Sequence, residues 1–323
     1  MSKKTLLLIH TGGTISMSED ESGAVKTEGN NPLLRHTHNL NDYADFIVEA
    51  PFTLPSPHIT PDHMLELKKL IEKYYLEDGI HGAVITHGTD TLEETAYFLD
   101  LTLRLSIPIV VTGAMRSSNE IGSDGLYNLI SAVRVATCEE AFGKGVLVVL
   151  NDEIHTAVNV TKTHSSNVST FQSPQYGPIG IVTKGGVLFH HTPKLDVKYT
   201  ISALSKNVAI IKAYAGMDSR LLSALADLNF DGVVIEALGQ GNLPPATIEG
   251  IEELISKNIP VVLVSRCFNG ITQDVYGYEG GGRQLKQKGV IFSNGLNGQK
   301  ARLKLMIGLS QTDDPEYIAS MFK

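Results

Sequence analysis

Eight short runs rich in Val, Ile and Leu recur along the chain: Thr5–Ile9, Ala83–Thr86, Ile107–Thr112, Val146–Leu150, Val208–Ala213, Val233–Ala237, Pro260–Ser265 and Val290–Phe292. They are apolar at consecutive positions, the pattern of strands buried on both faces of a parallel sheet. A loop of small residues and then a helix-period segment follow each run. In 92–103, for example, Leu92, Ala96, Leu99 and Leu103 fall on one helical face. This alternation predicts an α/β fold whose sheets are covered by helices. A length of 323 residues is more than one typical core holds. The segment His190–Asn207 lacks a helical period and separates two sets of strand–helix units. The expected organisation is a larger N-terminal domain, 1–190, with a doubly wound, mainly parallel sheet. A linker over 191–207 then leads to a smaller C-terminal α/β domain, 208–323.

Charge and cysteine content narrow the function. The formal charge of −8 disfavours nucleic acid as a partner, because phosphate binding needs a basic footprint. Cys138 and Cys267, far apart in sequence, give neither a disulfide framework nor a metal-binding pair. The apolar run Leu6–Ile9 stops at His10, too short for a secretory leader, and no segment reaches the roughly 20 apolar residues of a membrane span. These features predict a cytoplasmic protein that does not engage a membrane.

In open parallel sheets the ligand crevice lies beyond the carboxyl ends of the strands. Three loops there carry unusual residues. His10-Thr11-Gly12-Gly13-Thr14 pairs two glycines with two hydroxyls, and paired glycines let backbone N–H groups approach a ligand. It matches neither a dinucleotide-binding nor a P-loop pattern, which sets aside a nucleotide-binding reading. Thr86-His87-Gly88-Thr89-Asp90-Thr91 crowds hydroxyls, an acid and a histidine before a helix, although Asp90 or Thr91 could serve merely as its N-cap. Thr112-Gly113-Ala114-Met115-Arg116 is the third, and Lys162 follows in Val160–Thr163. A threonine hydroxyl is a poor nucleophile until a neighbour takes its proton, and amide hydrolysis needs donors where the oxyanion forms. Thr14, Thr89, Asp90 and Lys162 supply these residue types if they converge.

TGGTI at Thr11–Ile15 and HGTDT at His87–Thr91 together resemble the two signatures of bacterial-type L-asparaginases. Similarity continues through GAMR (Gly113–Arg116), SDG (Ser123–Gly125), VTKT (Val160–Thr163), GQGN (Gly239–Asn242) and TQD (Thr272–Asp274), over nearly the whole chain. The resemblance implies hydrolysis of L-asparagine, with Thr14 as nucleophile and Thr89, Asp90 and Lys162 as a second triad. It implies substrate contacts from Gly13, Ser56, Pro57, Gly88, Thr89, Asp90 and the Ala114 carbonyl. Asn242 and Tyr276 would be contributed by a neighbouring subunit of a homotetramer built from intimate dimers. No metal or organic cofactor is implied.

Three positions depart from the family pattern. The family's first loop carries a tyrosine close to the nucleophile; Ser16–Asn31 has none, and spacing puts Ala24 there. Pro57 follows the binding serine where a donor is common, and Tyr276 stands where the partner chain often supplies an acid. These changes lie at the pocket's edge, so they are expected to alter affinity or the asparagine–glutamine preference, with low glutamine activity expected. Two other readings are weaker. An amidotransferase subunit acting on misacylated tRNA would need an extra N-terminal domain, and an amino-acid sensor would more often have lost a central group.

Overall fold

The computed structural model describes residues 3–20, 22, 25–27, 40–293 and 295–323. Its internal contacts separate into two units, Met1–Thr200 and Ile201–Lys323. Lys198 and Tyr199 belong to the first: the Lys198 ammonium donates to the Asp100 carboxylate at 2.9 Å, and the Tyr199 N–H to the Leu101 carbonyl at 2.8 Å.

Twelve described strands form the first unit: β1 (Thr5–His10), β2 (Met17–Glu19), β3 (Val25–Thr27), β4 (Asp45–Glu49), β5 (Gly82–Thr86), β6 (Ile109–Thr112), β7 (Val146–Leu150), β8 (Glu153–Thr156), β9 (Thr161–Lys162), β10 (Phe171–Gln172), β11 (Gly180–Thr183) and β12 (Gly186–Phe189). Eight of them make one sheet in the order β12-β11-β8-β7-β6-β5-β1-β4. Strands β4, β1, β5, β6 and β7 run parallel, and β8, β11 and β12 add an antiparallel edge. The mainly parallel sheet expected from the apolar runs is therefore present. Leu6, Leu8, Val84, Val110, Leu147 and Val149 pack with Leu129, Ala132, Val133 and Ala136 of the helix Gly125–Thr137. Their neighbours Leu7, Ile9, Ile85, Val111 and Val148 are equally buried on the other face. Each such side chain contributes about 1.5–3 kcal/mol when fully buried, which is why central strands read as unbroken apolar runs.

Strand β4 was not among the expected strands, and it lies at the sheet's edge. Asp45 and Val48 are exposed there, so DFIVE has no unbroken apolar run to betray it. Because β1 pairs with β4 on one side and β5 on the other, successive connections leave β1 in opposite directions. That reversal opens a crevice at the carboxyl ends of β1 and β5.

In the second unit β13 (Val208–Lys212), β14 (Gly232–Ala237), β15 (Val261–Ser265) and β16 (Ile291–Phe292) form a separate parallel sheet in chain order. Val233, Ile235, Val261 and Leu263 share a core with Leu222, Ile251, Leu254 and Leu285. No described helix is long and apolar enough to cross a membrane.

Candidate active site

Glycines bring the loops of the first unit together. Gly13, with φ of +80°, follows β1, and a Cβ on it would fall 2.2 Å from Gly88 Cα. A Cβ on Gly88 would fall 2.8 Å from Ser56 Oγ, and one on Gly113 2.6 Å from the His87 carbonyl oxygen. The loops after β1, β4, β5 and β6 thus touch backbone to backbone. Hydrogen bonds fix the contact: Leu54 N–H donates to the Thr11 carbonyl at 2.9 Å, and Thr11 N–H and hydroxyl both reach the Thr86 carbonyl.

Within this frame Lys162 Nζ donates to Thr89 Oγ1 at 2.9 Å and to Asp90 Oδ1 at 2.7 Å. The Lys162 side chain is mostly shielded and the Asp90 side chain half exposed. Asp90 N–H donates to Ser56 Oγ at 3.1 Å, which leaves the serine proton free for an anion. Thr91 is the N-cap of the helix Leu92–Thr102, yet its hydroxyl makes no capping bond and donates instead to the Ser56 carbonyl at 2.8 Å. The threonine therefore ties two site loops together rather than capping in the usual way. Thr14 opens a single 3-10 turn, Thr14–Ser16, next to Gly13, and its hydroxyl has no hydrogen-bond partner among the described residues. Position Ala24 lies outside the described residues.

The two histidines flanking the catalytic-type loops are structural. His87 is wholly buried; its Nδ1–H donates to the Gly88 carbonyl at 2.7 Å and its Nε2 accepts from the Thr95 hydroxyl at 2.9 Å. Burial lowers its pKa to about 4. His10 bonds the Thr86 hydroxyl through Nδ1 at 2.8 Å, and burial likewise lowers its pKa to about 4. Neither imidazole carries charge at neutral pH.

Two acids hold the rest in place. Asp124 accepts from Met115 N–H at 3.1 Å and Arg116 N–H at 3.0 Å, so across the trans peptide the Ala114 carbonyl points away from Asp124. Asn128 donates to the Gly113 carbonyl at 3.0 Å and reinforces that loop. Glu93, 4 % exposed, accepts through Oε1 from the Thr161 hydroxyl at 3.0 Å and Lys162 N–H at 3.2 Å. Sequence alone gave no sign of this role, since an acid in a helix's first turn normally faces solvent and offsets the dipole. Asn119 exchanges hydrogen bonds with the backbone of Glu19, at 2.7 and 2.8 Å, fastening β2 to the 117–120 turn. Among the described residues, no group of three or more His, Cys, Asp and Glu side chains is arranged to hold a metal ion.

Comparison with known proteins bears directly on this arrangement. The sequence profile for "Asparaginase, N-terminal" matches residues 5–195, and that for "Glutaminase/Asparaginase C-terminal domain" matches 207–322. The chain belongs to the bacterial-type L-asparaginase family. A probable L-asparaginase of Deinococcus radiodurans is 40% identical over 321 residues, covering 98% of this chain and 96% of that protein. An L-asparaginase of Bacillus licheniformis is 37% identical over 309 residues, covering 95% and 96%. The crystal structure of a probable cytoplasmic L-asparaginase from Campylobacter jejuni superposes with a TM-score of 0.90 at 34% identity, covering 99% of each chain.

Asparaginase-family position Pro57 sits in the 3-10 turn Ser56–His58, where it has no N–H to offer beside the serine. Ala114 is fully buried. In the second unit, Asn242 accepts from Gly282 N–H at 3.2 Å in the loop after β14. Tyr276, in the loop after β15, is exposed and stacks at a tilt on Tyr278 with ring centroids 5.6 Å apart.

Proposed function

We propose that this chain hydrolyses L-asparagine to L-aspartate and ammonia through a threonine acyl-enzyme. The observation that carries the reading is the Thr89–Lys162–Asp90 cluster, a hydroxyl and a carboxylate sharing one ammonium at 2.9 and 2.7 Å beside the Gly13–Gly88 contact. Thr14 Oγ attacks the side-chain amide carbon, and its proton leaves with the departing ammonia. Water then cleaves the resulting ester, restoring the Thr14 hydroxyl and releasing the new carboxylate. Lys162, by donating to Thr89 Oγ1, makes the Thr89 proton a stronger donor toward the reacting centre. Backbone donors at Gly13, Gly88 and Thr89 suit the developing oxyanion. The Ser56 hydroxyl suits the α-carboxylate and the half-exposed Asp90 carboxylate the α-ammonium. The Ala114 carbonyl, an acceptor only, suits the substrate amide N–H.

Asn242 and Tyr276 act in this reading from a neighbouring subunit of a homotetramer, and 208–323 is the domain that completes that neighbour's site across the 191–207 linker. Activity on L-glutamine is lesser, because Pro57 leaves one donor fewer beside the binding serine. A pocket discriminates one methylene by only about 1–3 kcal/mol, so a lost contact matters most for the longer substrate. The location is cytoplasmic, as described for the Campylobacter jejuni protein.

The test is ammonia release from L-asparagine and L-glutamine by the wild type, Thr14→Ala and Thr89→Ala. Both variants are expected to lose at least about 10³-fold in kcat. A wild type that binds L-asparagine without releasing ammonia sinks the hydrolase reading and leaves an amino-acid sensor.

A further inference from the structure

We propose that Glu93 is a positioning residue for Lys162, a role that rests on the reading of Lys162 as the group acting on Thr89. Lys162 lies on β9, a strand of two residues that among the described residues pairs only with the two-residue β10. Bonds between 163–164 and Thr170, among them Thr163 N–H to the Thr170 carbonyl at 2.8 Å, fasten the hairpin beyond Lys162, but they tie it to itself and not to the Thr89–Asp90 loop. A lysine side chain adds four rotatable bonds and about 2 kcal/mol of rotamer entropy. Yet Nζ must reach Thr89 Oγ1 and Asp90 Oδ1 at once, at 2.9 and 2.7 Å.

Glu93 supplies a tie that limits this freedom. It sits three residues after Asp90, in the first turn of the helix that the Thr89–Asp90 loop leads into. One carboxylate oxygen accepts from Lys162 N–H and from the hydroxyl of the preceding Thr161. The two ends of the Lys162–Thr89 contact are thereby referred to one short stretch of chain: Thr89 and Asp90 through the backbone, Lys162 through the Glu93 carboxylate. Burial strengthens the tie, since Glu93 is 4 % exposed and water does not compete freely for its oxygens. A slide of β9 by an ångström would stretch one of the two Nζ bonds, and displacement on that scale can cost about 10²-fold in rate.

The experiment measures kcat and KM for L-asparagine in the wild type, Glu93→Leu, Glu93→Gln, Lys162→Ala and the double variant Glu93→Leu/Lys162→Ala. Glu93→Leu is expected to lower kcat about 10- to 100-fold while KM moves less than about threefold. Glu93→Gln retains a neutral oxygen acceptor and should recover most of that loss. The double variant should be no slower than Lys162→Ala alone, since once the ammonium is gone its placement has no further effect. Multiplying losses in the double variant, or wild-type kcat in Glu93→Leu, overturns the proposal. Wild-type kcat in Lys162→Ala removes the reading of Lys162 itself, a result distinct from a Glu93 failure. Should circular dichroism show Glu93→Leu unfolded, Thr161→Val takes its place in the cycle, removing one of the two donors to the same oxygen. It should slow the wild type several-fold and leave Lys162→Ala unchanged; slowing of both to the same degree overturns the proposal.

Discussion

His10 ends β1 and His87 opens the loop after β5, close in sequence to Thr14 and Thr89, and both are held neutral by burial, with pKa values lowered from 6.5 to about 4. Between pH 6.5 and 4 the unfolded chain binds protons that the folded chain refuses, so stability falls as the pH drops through that window. Fully developed below pH 4, the loss is about 3 kcal/mol per imidazole. Urea denaturation at pH 7, 6 and 5 should show declining stability. A His10→Leu variant should lose about 1.2 kcal/mol per pH unit of that slope between pH 5 and 6; an unchanged slope would show that His10 is not kept neutral. At this scale the meeting of Thr89, Asp90 and Lys162 was legible, because a hydroxyl, an acid and a base crowded into strand-end loops are particular residue types. The parts played by His87 and Glu93 were not. A buried neutral imidazole and a solvated one are written with the same letter, and only the partners distinguish a backbone clamp from a capping acid.

The elements meet at glycines, and the tolerance of each glycine depends on what surrounds it. Gly13 combines φ of +80° with a backbone atom 2.2 Å from any Cβ. Gly79, after the helix Pro61–Glu77, has φ of +63° but nothing within 4 Å. Gly79→Ala should therefore cost only conformational strain, about 1–2 kcal/mol. Gly13→Ala adds a steric clash to that strain and should cost about 2–5 kcal/mol together with most of the activity. Comparing urea midpoints of the two variants tests this, and equal losses would contradict the packing argument. The central strands were readable because burial on both faces demands unbroken Val, Ile and Leu. Strand β4, on the edge, and β9, two residues long, carry no such signal; their pairing is set by what lies beside them, which a linear pattern does not encode.

For the whole molecule, the division into two cores follows from length and from the two sets of parallel strands, each with its own buried cluster. What the second unit does for the first is a question of assembly. If Tyr276 and Asn242 serve a neighbour's Thr89 and Lys162, two inactive proteins can repair each other. Lys162→Ala mixed with a Tyr276→Ala/Asn242→Ala double variant, unfolded and refolded together, should regain about a quarter of wild-type activity, because random pairing of isologous dimers leaves that share of sites intact. Failure of the mixture to exceed the parents would place each complete site within one chain. Before either outcome, the glycine contacts already constrain how such a protein can be redesigned. At positions 12, 13, 88 and 113, where a Cβ would fall 2.6, 2.2, 2.8 and 2.6 Å from a neighbouring atom, a saturation library would consist almost entirely of dead clones. On the function proposed above, useful diversity for a new amide substrate has to be sought at positions where a side chain already stands, such as Pro57 or the Tyr276 that a neighbouring subunit would contribute. Directed evolution of this scaffold is a search over its rim, with its centre left as it is.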